Sequence, residues 1–86
     1  MAAFTRDTEQ FLQKVGTDRE WWQERYTPGQ EVPVSGIYRC EVCGKEITSN
    51  KNDPFPPQND HQHENRRAIS WQLIVRTDTN GDRFGM

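Results

Sequence analysis

Cys40-Glu41-Val42-Cys43-Gly44 is the stretch that decides how this chain is read. Two residues between the thiols let both sulfurs reach one metal ion from a single tight turn, at the ~2.3 Å of a zinc–thiolate bond. Gly44 suits that turn, because a loop that aims successive backbone N–H groups at a thiolate needs a residue tolerant of positive φ. Downstream, Asp60-His61-Gln62-His63 supplies two imidazoles, and residues two apart on an extended segment point to the same face. The 86 residues contain two Cys and two His, so Cys40, Cys43, His61 and His63 exhaust the strong sulfur and nitrogen ligands. They predict a tetrahedral Cys2His2 site for Zn2+, structural because four protein ligands leave no open position for substrate.

The flanks of the thiol pair set the fold class. Ile37-Tyr38-Arg39 leads into Cys40 with aromatic and β-branched residues, and Glu46-Ile47-Thr48 leads out. The turn is therefore expected to join two antiparallel strands. Trp71-Gln72-Leu73-Ile74-Val75 is the strongest strand signal, while Pro54, Pro56 and Pro57 exclude regular structure ahead of the histidines. Upstream, Phe11, Leu12 and Val15 give Thr5 through Val15 an amphipathic helical spacing that Gly16 ends. Thr17-Asp18-Arg19-Glu20 then reads as a capping box, with Thr17 as N-cap, opening a second helix through Trp21, Trp22 and Arg25 that Thr27-Pro28-Gly29 stops. Neither helix is long enough to persist without packing. The expected fold is a small α+β, zinc-ribbon-like three-stranded antiparallel sheet with two short N-terminal helices. Its organisation is a helical segment 1–30, a zinc-ribbon-like domain 31–77 and a flexible tail 78–86.

Composition explains why a metal is needed. With 31% hydrophobic and 28% charged residues and a mean hydropathy of −1.08, apolar burial alone is a thin source of stability for a chain this short. A structural zinc site contributes about 10–16 kcal/mol of apparent binding free energy, which becomes folding free energy in a small domain. A net charge of −2 disfavours a generic nucleic-acid binder. No apolar run of membrane-spanning length occurs, and Met1-Ala2-Ala3-Phe4-Thr5-Arg6 has neither a basic nor an apolar leader region, so the expectation is a cytoplasmic chain with no membrane contact. Two closely spaced cysteines make a poor disulfide framework and fit reducing conditions.

Rival readings of the same residues are weaker. Thiol redox chemistry at Cys40 and Cys43 normally needs a helix N-terminus after the pair, and nothing in the sequence after Cys43 is helical. An open catalytic zinc requires one histidine to be unligated, with Asp60 or Glu64 as the base. In the blandest reading His61 and His63 are solvated and the cysteines are merely buried. Trp21 and Trp22, adjacent on a helix, cannot share one face, so one is expected in the core with Phe55 and the other outside as an anchor for a protein partner. Asp78-Thr79-Asn80-Gly81-Asp82 has its glycine misplaced for a calcium loop, and Arg66-Arg67 reads as a solvated turn.

Tyr38-Arg39-Cys40-Glu41-Val42-Cys43-Gly44 resembles the first knuckle of rubredoxin-like and zinc-ribbon proteins, whose second knuckle is a Cys pair where this sequence has His61-Gln62-His63. The run from Val34-Ser35-Gly36-Ile37-Tyr38 through Pro54-Phe55-Pro56-Pro57-Gln58-Asn59 to His63 is similar to a group of short bacterial proteins, some labelled "protein L" and distinct from the immunoglobulin binder. In that group a histidine often stands at the place of Asp60, so the choice of imidazoles stays open. The resemblance implies a zinc-ribbon fold and carries no activity. The functional expectation is a non-enzymatic protein-interaction module built on Zn2+, ahead of a nucleic-acid- or ribosome-associated zinc ribbon and a thiol redox protein.

Overall fold

A computed structural model describes residues 1–56 and 68–84. Three strands form one sheet: β1 (Gly36–Cys40), β2 (Glu46–Ser49) and β3 (Trp71–Arg76), in the order β2-β1-β3 with both pairs antiparallel. Each strand forms where β-branched and aromatic residues were concentrated in the sequence. This is a small α+β fold dominated by its sheet. Among the described residues no helix is long and apolar enough to cross a membrane.

Central position makes β1 the organiser. Its residues alternate, with Gly36, Tyr38 and Cys40 buried and Ile37 and Arg39 half-buried, as a period-two strand between two faces requires. Tyr38, Cys40, Trp71 and Leu73 fill the buried face, and Val32, Phe55 and Ile69 pack against them. Tyr38 meets Phe55 edge-on at 4.9 Å between ring centres, and Tyr26 stacks on Phe55 at 5.3 Å. These geometries suit aromatic quadrupoles. At the far end, Gly36 faces Arg76 so closely that a Cβ there would lie 2.3 Å from the Val75 carbonyl oxygen. The β1–β3 register shifts between Ile37 and Tyr38, leaving Ile74 as the extra residue of a bulge.

Two irregular segments roof the core. Val32 donates its N–H to the Asp53 carbonyl at 2.8 Å, and Phe55 donates to Gln30 at 2.8 Å. Pro54 sits between them in a bridge with Glu31, where its missing N–H costs nothing because Val32 and Phe55 donate the bonds of that pairing.

The N-terminal helices are far shorter than the sequence suggests. Where a helix was expected over Thr5 to Val15, there is only a 3-10 turn at Glu9–Phe11. Thr5 and Thr8 exchange side-chain bonds with each other's backbone N–H at 2.8 and 3.1 Å, a local alternative to the helical ladder. The second helix, α1, spans only Glu20–Gln23, and its N-cap is Arg19, not Thr17. The capping-box reading fails here: Arg19 makes no side-chain cap bond, and the Thr17 carbonyl instead accepts from Gln23 Nε2 at 2.8 Å. Tertiary pairing ends α1 early. Glu24 turns extended so that Tyr26 can exchange both backbone bonds with Trp71, at 3.0 and 2.7 Å.

Candidate metal centre and aromatic face

The thiol pair lies on the hairpin turn between β1 and β2, as its flanks suggested. Cys40 donates its N–H to the Lys45 carbonyl at 2.8 Å, and Gly44 donates back to the Cys40 carbonyl at 2.9 Å. This tight closure requires Gly44 at φ +81°, a conformation that glycine adopts without the steric cost of a side chain. Cys40 is fully buried beside Trp71, its register partner, and Cys43 is exposed. The Arg39 side chain lies over Gly44, close enough that a Cβ there would meet a guanidinium nitrogen at 3.1 Å. Half of the expected ligand set is thus gathered on one turn, with one thiol facing the core and the other facing solvent.

The imidazole half of that set, His61 and His63, lies outside the described residues, as do Asp60 and Glu64. Among the described residues no group of three or more metal-ligating side chains occurs. The flanks of that stretch are well defined. Phe55 before it and Ile69 after it are both buried, and Ser70 is stitched to the thiol turn. The Glu41 N–H donates to the Ser70 carbonyl at 2.9 Å, and the Ser70 hydroxyl donates to Glu41 Oε2 at 3.1 Å. Arg25 Nε completes the cluster by pairing with Glu41 Oε1. The Arg25 hydrogen bond, helped by that from Ser70, holds the Glu41 carboxyl below the usual carboxylate range. Ser70 and Trp71 therefore enter the sheet directly beside Cys40.

The tryptophans follow neither half of the expected division. Trp21 and Trp22 are both half-buried and both pack against the core, while Trp71 is the one that is completely enclosed. Phe55 takes the core position that the sequence assigned to it. Trp21 carries two guanidinium groups, Arg76 at 5.0 Å and Arg19 at 5.9 Å from the ring centre. Arg76 also lies 4.6 Å from the ring centre of Phe84.

Arg76 and Phe84 did not stand out in the sequence. They meet because the residues after β3 fold back. Asp78 Oδ2 accepts the Arg83 N–H at 2.9 Å, and Oδ1 accepts from Gly81 at 2.8 Å and Asn80 at 3.3 Å. These backbone donors, Arg83 first, lower the Asp78 pKa. Phe84 then exchanges two bonds with the Gln13 side chain, at 2.8 and 2.9 Å. Asp78-x-x-Gly81 followed by a lone aromatic was the available signal, since Asp side chains bond their own backbone two or three residues on.

Compared with known proteins, the chain is 70% identical over 86 residues to an Escherichia coli protein named "Protein L", covering 100% of this chain and 99% of that relative. The chain belongs to the family of that protein. The similarity to Protein L spans the thiol turn, the sheet and the N-terminal segment alike. No family model matches the chain, and no solved structure matches it.

Proposed function

We propose that the chain is a small zinc-binding protein, working in a reducing cytoplasm, whose one structural Zn2+ ion is held by Cys40, Cys43, His61 and His63. It acts without catalysis, as a protein-interaction module with Trp21 or Trp22 as its anchor. The observation that carries the metal reading is the Cys40–Gly44 turn, closed by two backbone bonds around a positive-φ glycine, with Ser70 held beside it by Glu41. Such a turn suits a thiolate pair, and the short sequence separation of His61 and His63 from Ser70 supports a second ligand pair from that side. Zinc supplies a crosslink between the hairpin and the loop, in a domain whose apolar content is low. The zinc-ribbon architecture follows from that crosslink and the three-stranded sheet.

The interaction reading rests on two large aromatics, each packed on the core yet left half-exposed, on a four-residue helix that could not exist unsupported. Elemental analysis of protein made with zinc available should find one ion per chain; its absence refutes the metal site. Trp21→Ala and Trp22→Ala should be measured for stability and for partner capture separately. Loss of capture at an unchanged melt marks the binding face, whereas unfolding by both substitutions makes the pair core and refutes the module.

A further inference from the structure

We propose that the two adjoining grooves around Trp22 bind a short acidic peptide segment that carries a large apolar side chain. The proposal rests on the interaction-module reading and names the chemistry of its partner. The grooves measure about 510 and 710 Å³ and share Val15, Trp22, Arg76 and Phe84 in their walls. Both lie in the range of ligand-binding clefts, roughly 300–1,000 Å³.

The two halves differ in chemistry. The first is lined by Phe11 and Leu12, whose side chains are 78% and 51% exposed, together with Ile74. Large apolar groups left so open at the lip of a groove mark a contact surface. The second half is cationic. Arg19 and Arg76 flank the Trp21 ring, and among the described residues neither has a carboxylate within ion-pair distance. Arg83 lines the first groove and likewise lacks such a partner there. Of the two acidic residues in the walls, Asp78 spends its carboxylate on the N–H groups of Arg83, Gly81 and Asn80, and Asp18 is exposed.

Arg76 is the informative residue. Its guanidinium is held between Trp21 and Phe84, and among the described residues it has no salt bridge, so its in-plane donors face no described carboxylate while little entropy is left to lose on binding. Charge complementarity thus selects an anionic ligand, and the neighbouring Phe11 and Leu12 select an apolar one. A peptide combines the two. A nucleic acid fits less well, because its phosphates would meet the apolar half and the chain as a whole carries a net charge of −2.

The test is fluorescence anisotropy on the full, zinc-loaded chain with labelled synthetic probes. One peptide alternates aspartate with leucine, a second alternates lysine with leucine, a third contains aspartate alone, and the fourth probe is a thymidine oligonucleotide. The aspartate–leucine peptide should bind saturably and the other probes about tenfold more weakly or worse, about 1.4 kcal/mol. Arg76→Gln, Arg19→Gln and Phe11→Ser should each weaken it by about tenfold. Thermal melts accompany all three. If Arg76→Gln disturbs the fold, Arg19→Gln and Phe11→Ser decide, since both alter exposed side chains. Absence of saturable binding, equal binding of the lysine–leucine peptide, or indifference to the variants overturns the proposal. Tighter binding of the oligonucleotide through Arg19 and Arg76 also overturns it, by assigning the grooves to nucleic acid. If the peptide fails while a tryptophan substitution still abolishes partner capture at an unchanged melt, this inference falls and the module stands. If neither tryptophan matters for capture, both fall.

Discussion

Among the described residues, Tyr38 carries the one buried side-chain hydroxyl, and donates it to the Val34 carbonyl at 2.6 Å. Tyr38→Phe keeps the ring and leaves that carbonyl without its donor, so a loss of about 1–3 kcal/mol is expected in urea unfolding. Burial pushes the phenol up to about 12. Because the folded pKa lies above the unfolded value near 10, the stabilisation is complete below about pH 10 and is lost as pH rises through about 12. The phenylalanine variant should lack that alkaline component, and an unchanged alkaline limb would refute the assignment. At the metal turn, Cys40→Ser or Cys43→Ser should lower the melting temperature in excess zinc more than His61→Ala or His63→Ala. In the proposed site thiolates would neutralise the ion's charge and shape the turn, whereas water, Asp60 or Glu64 could replace an imidazole. Equal losses would indicate four indispensable ligands, and a harmless His63 change a site of three protein ligands and a water.

At the scale of elements, β1 and β3 meet too closely at Gly36 to admit a side chain there. A methyl group there would sit 2.3 Å from the Val75 carbonyl oxygen and 3.1 Å from the Arg76 Cα, both backbone atoms with little room to yield. Gly36→Ala is expected to cost about 3 kcal/mol or more and to reduce the near-UV signal of Trp71; a melt within a degree or two of the parent would refute it. The three strands were legible because their apolar residues alternate or cluster between turn residues, and the turn was legible because a thiol pair and a glycine fall in fixed order. The helices misled because helical spacing at Phe11, Leu12 and Val15 says nothing about the Thr5–Thr8 exchange, nor about the pull of Trp71 on Tyr26. At the candidate site, the cysteine half could be read directly. The Arg76 sandwich could not, because no local pattern announces that Phe84 will return to Gln13.

For the whole molecule, the decisive quantity is how little apolar packing has to stabilise so much chain. Among the described residues eight hydrophobic side chains are buried, and they lie in one cluster spanning the sheet and the segments that roof it. Domains of this size rarely gain more than ~3–5 kcal/mol from such a core, while a structural zinc site contributes about 10–16 kcal/mol. On the proposed zinc reading, removing the ion should therefore unfold the protein instead of merely loosening one turn. The route is visible in the contacts: the Cys40 turn holds Ser70 through Glu41, Trp71 holds Tyr26, and Tyr26 follows directly on the helix that displays Trp21 and Trp22. Chelation should accordingly abolish the near-UV signal of Trp71 and Tyr38 and the partner capture together, with both restored by zinc. A near-UV spectrum that survives chelation would show that the apolar cluster is self-sufficient. Loss of capture with that spectrum intact would instead confine the role of the metal to the binding surface.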